Sequence, residues 1–226
     1  MEYANIIERL EQLGDPSAAE GMAKYGITAQ KIYGVSIPDL RKLAKETGKN
    51  HELALKLWRT NSRETRILAS MVDEPKCLTE KQMDEWVRDF DSWEVCDQCI
   101  MNLFEKVPLA WDKAVEWSAD SAEFVKRAGF VVMARLAVSD KKAPDERFYV
   151  FFPIIRREAG DSRNFVKKAV NWALRQIGKR NLNLNAKACD EARTIVEMEE
   201  KSARWIASDA LRELESEAVQ KRLQEK

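Results

Sequence analysis

The sequence predicts an all-α fold in which helical hairpins repeat along the chain. Only 8 Gly and 6 Pro interrupt 226 residues, so long helices are favoured over many turns. Apolar residues recur at helical spacing, and no segment shows the sustained alternation that marks a β-strand. With 45% apolar and 34% charged residues, the chain can bury a core, and its composition disfavours disorder.

The first helices carry start and stop signals at both ends. Asp15 precedes a proline in the first turn and predicts an N-cap, and the segment closes at Gly26. Ser36 predicts a second N-cap, again with proline in the first turn, and Gly48 ends that segment. These signals predict one helix after Asp15 and another after Ser36.

Two later segments have the spacing of a capping box, in which a side chain at each end of the first turn bonds the other's backbone. Thr79 is followed three residues later by Gln82. Asp91 is followed in the same way by Glu94. We therefore predict that helices begin just after Thr79 and just after Asp91.

Several helices are near-copies of one another. Residues 123–136, 164–177 and 201–214 share cations, then small and apolar residues, then a late polar position before a final aliphatic residue. Residues 63–72 and 92–104 are looser members. The offsets of about 31 to 41 residues are typical of HEAT repeats, which bury their faces only by stacking. We predict a right-handed α-α superhelix, a HEAT-like repeat solenoid with a concave cleft; the alternative is an irregular helical domain.

The predicted organisation is one domain over residues 1–226. Residues 1–60 would form N-terminal helices, and residues 61–226 would form the repeat pairs that carry the cleft. No secretory signal or membrane-spanning run is found, so four cysteines indicate reduced thiols and a cytoplasmic protein. The 38 acidic and 38 basic residues exclude an overall basic nucleic-acid binder but allow a basic face.

One cationic stretch holds a tryptophan away from the core. From residue 163 to 180 there are six cations and no acid. At about 100° per residue, Lys168, Arg175, Gln176 and Lys179 lie within about 60° of Trp172. The apolar stripe lies on another face and consists of Val166, Val170, Ala173 and Ile177. Such cations suit phosphates, and an exposed indole suits a flat or cationic group. Alternatively, Trp172 packs into the adjacent repeat beneath lysine and arginine stems.

A second group of candidate residues combines an indole with a carboxylate. Trp93 and Asp97 are four residues apart and share one helix face. The same face is predicted to hold Ile100, Met101 and Phe104. An ionised Asp on an apolar face is costly unless it is paired or functional. It would either stabilise a developing cation or pair with Arg127, and such a pair would also orient the carboxylate.

The remaining residue types offer little for metal or redox chemistry. Cys96 and Cys99 are spaced as C-x-x-C inside a predicted helix, but there is no second cysteine pair, and His51 is the only histidine. A structural zinc site needs more ligands, so we expect two core-filling thiols. We predict no metal and no cofactor.

Four motifs, taken in order, carry a resemblance to a known family. "YGVSIPDLRKLAKE" resembles its early Gly-Pro-Arg segment, and "DSWEVCDQC" resembles the motif in which Trp93 precedes the catalytic Asp97. "FVKRAGF" resembles the repeat with a cleft arginine, Arg127, and "NFVKKAVNWALRQIGKRN" the segment with a second cleft tryptophan, Trp172. The family is the HEAT-like-repeat alkylpurine DNA glycosylases of the AlkD type, among the DNA alkylation repair enzymes.

The resemblance implies an N-glycosylase that acts on cationic alkylated purines, such as 3-methyladenine and 7-methylguanine, in duplex DNA. It implies base excision without a metal. It also implies that the base is not flipped out of the duplex, although flipping is the common route. Asp97 would stabilise the sugar oxocarbenium ion and hold the attacking water. Trp93 and Trp172 would contact the sugar, and Arg127 would bind a phosphate or orient Asp97. The DNA backbone would be bound by Lys126, Lys168, Arg175, Lys179 and Arg180.

Two other functions remain open. The basic stripe in a neutral chain also fits a HEAT-like nucleic-acid-binding protein without catalysis. Helical solenoids also serve as protein-interaction scaffolds. On the glycosylase reading the partner is double-stranded DNA with alkylated bases, the protein is a monomer, no membrane is involved, and it joins the bacterial nucleoid when bound.

Overall fold

The computed structural model describes residues 1–27 and 29–225 and is all-helical, as predicted. Helices make up 73% of the structure, and no strand occurs in the described residues. The chain divides into two compact units, Met1–Pro108 and Leu109–Lys226. The expectation of a single domain over residues 1–226 stays a prediction. None of the described helices is long and apolar enough to cross a membrane.

In its described residues, unit 1 has seven α-helices and two single turns of 3₁₀ helix. The α-helices are α1 (Tyr3–Leu13), α2 (Pro16–Ala23), α3 (Ile37–Thr47), α4 (His51–Arg59), α5 (Arg63–Val72), α6 (Glu80–Arg88) and α7 (Trp93–Asn102). The 3₁₀ turns are Pro75–Cys77 and Phe104–Lys106. Helix α5 packs against α3, α4 and α7, so the looser repeat segments 63–72 and 92–104 lie side by side.

The predicted caps of α2 and α3 are confirmed. The Asp15 carboxylate accepts hydrogen bonds from the backbone amides at positions 17 and 18. The Ser36 hydroxyl accepts from the amide of Asp39, and Gly48 ends α3 with a φ of 78°. A residue with a side chain would be strained in that left-handed conformation, which explains the glycine.

The two capping boxes turn out differently from the prediction. Thr79 caps α6 by accepting from the amide of Gln82, but the Gln82 side chain donates to Asp73 at 2.7 Å instead of reaching back. The box at Asp91 was wrong, because Ser92 is the N-cap of α7 and accepts from the amide of Val95. The two carboxylates bind arginines of α5 instead.

Those arginines belong to a buried polar network. Arg63 is 1% exposed and donates through two nitrogens to Glu94, at 2.6 and 2.9 Å. The fully buried Glu64 accepts the backbone amides of Tyr33, Gly34 and Val35 at 2.9–3.3 Å. The carboxylate of α5 thus fixes the segment that enters α3, while the neighbouring arginine fixes α7.

Up to residue 225, where the described part of the chain ends, unit 2 has eight α-helices. They are α8 (Ala110–Ser118), α9 (Glu123–Ser139), α10 (Glu146–Tyr149), α11 (Phe151–Glu158), α12 (Asn164–Gly178), α13 (Leu182–Val196), α14 (Lys201–Leu214) and α15 (Glu217–Gln224). The three near-copied segments are α9, α12 and α14, the second helices of successive hairpins. Helix α12 packs between α9 and α14, which gives the stacking that the repeats predict.

Helix α9 approaches α8 closely at a glycine. A Cβ atom added to Gly129 would lie 2.5 Å from the backbone nitrogen of Ser118 and 2.9 Å from the carbonyl oxygen of Ala114. Side chains elsewhere join one repeat to the next. Trp58 donates to Asp89, 31 residues later, and Asn171 donates to the carbonyl of Ile206, 35 residues later.

Candidate functional site

Trp93 is the first residue of α7, in unit 1. The hydroxyl of Ser92 caps the helix at this point, which fixes where the indole leaves the backbone. The indole nitrogen donates to the carbonyl oxygen of Tyr25 at 2.8 Å, across 68 residues of sequence. The side chain is half-exposed. The indole is therefore held at its polar edge while part of its surface faces solvent.

Asp97 lies one turn further along α7 and is 9% exposed. Its helix neighbours Cys96 and Ile100 are fully buried, so the carboxylate sits at the border of an apolar core. The shared face ends sooner than predicted: α7 stops at Asn102, and Phe104 belongs to the following 3₁₀ turn. Trp93 and Asp97 share one helical face, as the spacing of four residues predicts.

The C-x-x-C pair belongs to the core of α7. Cys96 and Cys99 are fully buried in the helix interior, not at its N-terminus. Burial raises the pKa of the Cys99 thiol well above its ordinary value of 9.0, so it stays protonated and unreactive at neutral pH. Over residues 1–27 and 29–225, no cluster of three or more His, Cys, Asp or Glu could hold a metal ion.

Arg127 and Lys126 lie in the first turns of α9, in unit 2. Arg127 is 6% exposed and donates to the carbonyl oxygen of Phe165 at 2.7 Å, in the first turn of α12. Lys126 pairs with Glu158 and, at 3.5 Å, with Asp161. Both cations therefore have partners inside unit 2, and a DNA phosphate would have to compete with carboxylates for Lys126.

Trp172 lies on α12 outside the apolar stripe, as helical geometry predicted. The predicted stripe residues, Val166, Val170, Ala173 and Ile177, are all fully buried. Trp172 itself is half-buried, and Lys168, one turn before it, is exposed. The core of this helix is complete without the tryptophan, which leaves part of the indole beside a solvated lysine.

Two further cations, Arg175 of α12 and Lys179 just after it, are bound by acids of α14. Glu213 accepts from Lys179 at 2.6 Å and also pairs with Arg175. Asp209 lies 3.8 Å from Arg175. Burial works to raise the pKa of Glu213, but the hydrogen bonds from Lys179 and Arg175 outweigh it and lower the pKa below 4.5. Glu213 is therefore ionised at neutral pH and neutralises part of the basic stripe.

Arg180, just after α12, is used to hold a turn. Its two terminal nitrogens donate to the carbonyl oxygens of Ala137 and Ala143, at 3.2 and 2.7 Å. Its guanidinium also lies over the Phe148 ring, 4.6 Å from the centroid. Among the predicted backbone-binding cations, Lys168 is the one whose side chain is exposed rather than half-buried or buried.

Sequence reasoning missed the acids that face the basic stripe. Glu213 occupies the repeat position of Gln176, and Asp209 that of Trp172, each one repeat later. Because α12 and α14 are neighbours, equivalent positions lie across from one another. The signal was present in the repeat alignment, since 201–214 carries acids where 164–177 carries none.

The chain matches a family model described as DNA alkylation repair enzyme over residues 6–214. This chain belongs to the DNA alkylation repair enzyme family. The match covers nearly every helix described above, including those that carry Asp97 and Trp172.

Curated relatives of this chain match at low sequence identity. Two curated proteins match over 134 residues: Uncharacterized protein Lmo0209 of Listeria monocytogenes serovar 1/2a, 25% identical, and Uncharacterized protein Lin0241 of Listeria innocua serovar 6a, 24% identical. The match covers 58% of this chain and spans only 60% of the length of each relative.

A solved structure shares the fold. It is described as a new family of proteins related to the HEAT-like repeat DNA glycosylases with affinity for branched DNA structures. The TM-score is 0.78 at 20% sequence identity, over 94% of this chain and 95% of that one. This similarity confirms that the chain has the HEAT-like repeat fold. At 20% sequence identity it shows the fold alone.

Proposed function

We propose that this protein is a DNA N-glycosylase that hydrolyses the N-glycosidic bond of cationic alkylated purines in duplex DNA. The observation that carries the proposal is the pairing of Asp97, 9% exposed, with the half-exposed Trp93 one turn before it. A carboxylate partly shielded from water interacts strongly with a developing positive charge. Family membership supports the choice of DNA as substrate.

The chemistry requires little more than a fixed negative charge. N3 or N7 alkylation gives the purine a positive charge, so the base departs neutral, taking both electrons of the bond between C1′ and the base nitrogen. The sugar is left as an oxocarbenium ion, which the Asp97 carboxylate stabilises. Water then forms a bond to C1′ and loses its proton to Asp97 or to solvent. No general acid is needed, because the leaving base is neutral.

The half-buried tryptophan of α7 would act on the sugar. An indole face attracts a cation, so Trp93 would stabilise the oxocarbenium ion while excluding bulk water. Trp172 of unit 2 would offer a second indole face to the DNA. The indole N–H of Trp93 is already bound to Tyr25, which fixes its orientation before DNA arrives. This route contacts the deoxyribose directly and does not require the base to be flipped out.

Cations of unit 2 would bind the DNA backbone around the lesion. Lys168 is exposed and would contact a phosphate directly. Lys126, Arg175 and Lys179 would exchange their carboxylate partners for phosphates. Arg127 and Arg180 are bound to backbone carbonyl oxygens and would contribute their positive charge. The protein would act on chromosomal DNA.

The test is release of 7-methylguanine from methylated duplex DNA, measured in single turnover with excess protein. We expect release by wild type and a rate lower by about 10²–10³-fold in Asp97→Asn, the loss typical when one electrostatic group of a transition state is removed. Asp112→Asn, an exposed acid of α8, is the matched control and should keep the wild-type rate. Wild type that releases no base would rule out the glycosylase.

A second candidate is DNA binding without catalysis. The observations that favour it are the neutral net charge and the neutralisation of Arg175 and Lys179 by Glu213. The relative of known structure is likewise described by its affinity for branched DNA. Salt-dependent DNA binding without base release would support this candidate. Failure to bind DNA even at low salt would point to a protein-interaction scaffold.

A further inference from the structure

Trp205 is the most exposed of the seven tryptophans, all of which lie in the described residues. Its exposed fraction is 41%, whereas four others are at most 7% exposed and Trp93 and Trp172 are half-buried. Exposing an indole forgoes a large amount of hydrophobic stabilisation. A tryptophan on the surface is therefore a candidate for a contact outside the folded chain.

The core of α14 is complete without this indole. The buried residues of the helix are Ser202, Ala203, Ile206, Ala207, Ala210 and Leu214. Trp205 lies off that stripe, one turn before Asp209. In the repeat alignment it occupies the position that Lys168 has on α12. Helix α14 packs against α12, which also carries Trp172. Trp205 is thus placed on the helix face that equivalent repeats use for their cations.

The charges around Trp205 are mostly positive. The ammonium of Lys167 lies over the ring, 4.6 Å from its centroid. Lys201 and Arg204 are exposed in the first turn of α14 and precede Trp205 in sequence, and Lys168 is exposed next to Lys167 on α12. The nearby acids are the exposed Glu199 and Glu200, just before α14, and Asp209, which pairs with Arg175 and Arg212. An exposed aromatic ring among four cations complements a group that is both flat and anionic.

We propose that Trp205 is a stacking site for an unpaired nucleobase, with Lys167, Lys168 and Arg204 binding the adjoining phosphates. Bases inside a duplex present only their edges, whereas an unpaired base offers its face to an aromatic ring. With Lys167 over one face of the indole, the remaining exposed ring area is available to the base. The inference rests on the proposed function only in taking DNA as the ligand, and it does not require that the protein excise bases.

The test compares a short labelled duplex that contains a bulge of unpaired thymidines with the fully paired duplex of the same length. Wild type should prefer the bulged DNA. Trp205→Ala should weaken binding to it by about 5- to 100-fold, the range that base–aromatic stacking supports, and leave the paired duplex unchanged. Trp205→Phe should restore most of the affinity. Leu182→Ala, which truncates another exposed apolar side chain of unit 2, should change neither.

Several outcomes would overturn the proposal. These are equal binding of the two duplexes by wild type, an equal loss on both in Trp205→Ala, or no loss on either. Size-exclusion chromatography in which wild type is a dimer and Trp205→Ala a monomer would assign the indole to self-association instead. Release of 7-methylguanine is measured separately and should be unaffected in Trp205→Ala. A wild type that prefers bulged DNA but releases no base would reject the glycosylase and keep the stacking site.

Discussion

Replacing Glu213 with glutamine should increase the affinity of the protein for DNA. Glu213 pairs with Arg175 and Lys179, two cations that we assign to the DNA backbone. A phosphate must displace this carboxylate before it can contact either residue. Glutamine keeps the shape and removes the charge, so both cations lose the carboxylate that they share, while Asp209 stays 3.8 Å from Arg175. The pair is about 30% exposed on the Glu213 side, so its loss should cost at most about 1 kcal/mol of stability.

The size of the effect follows from counterion release. Each phosphate neutralised on duplex DNA contributes about 0.9 to the slope of log affinity against log salt concentration. If both freed cations reach phosphates, the slope of Glu213→Gln becomes steeper by about 1.8. Across a four-fold increase in salt, the variant then loses roughly ten-fold more affinity than wild type, while it binds more tightly at low salt.

Fluorescence anisotropy with a labelled paired duplex, at a series of salt concentrations, measures both quantities. Glu217→Gln is the control, because it removes one exposed acid from the next helix without touching the stripe. Its slope should equal that of wild type. If Glu213→Gln shows an unchanged slope, or binds more weakly than wild type at low salt, Arg175 and Lys179 do not contact the DNA backbone.

Three further predictions concern stability and are read from chemical or thermal unfolding. Gly129→Ala should destabilise the protein by about 1–3 kcal/mol because its Cβ would meet backbone atoms of α8, whereas Gly21→Ala, with nothing within 4 Å, should stabilise it by up to about 1 kcal/mol; equal effects would contradict the close approach. Glu64→Gln should cost about 3–5 kcal/mol, since it leaves a buried arginine and three amides poorly bound; a loss below 1 kcal/mol would refute this. Burial works to raise the pKa values of Glu158 and Asp161, but pairing with Lys and Arg outweighs it and lowers both. The free energy of unfolding should therefore decrease as the pH falls below the ordinary pKa values of these groups, 4.5 and 3.8. Above those values the two carboxylates should contribute no pH dependence.

The features that follow from local sequence were predictable. The caps at Asp15 and Ser36 depend only on neighbouring residues, and the sequence places both helix starts correctly. The stripe of α12 depends on helical geometry, so the separation of Trp172 from the core also held. The repeat offsets predicted which helices stack, because near-copied segments must bury equivalent faces.

The features that depend on tertiary partners could not be read from local patterns. Asp91 and Glu94 have capping-box spacing, but arginines of α5 bind both carboxylates, and the hydroxyl of Ser92 takes the cap. Six cations in one stretch looked unopposed, but Arg175 and Lys179 pair with an acid one repeat later, and Arg163 pairs with Asp161 just before the stretch. The net charge of a surface in a repeat protein depends on the side chains of two neighbouring helices. The sequence of one helix alone therefore does not predict it.

The spacing of the side-chain bonds also has a consequence for how the chain folds during synthesis. Trp58 to Asp89 and Arg63 to Glu94 each span 31 residues, and Arg156 to Glu191 spans 35. Each bond closes a loop of about one repeat, so its entropic cost is the same near either end of the chain. Two emerged hairpins are enough to complete a bond. The nascent protein can therefore become ordered one hairpin at a time, with each new hairpin fixed by the one before it.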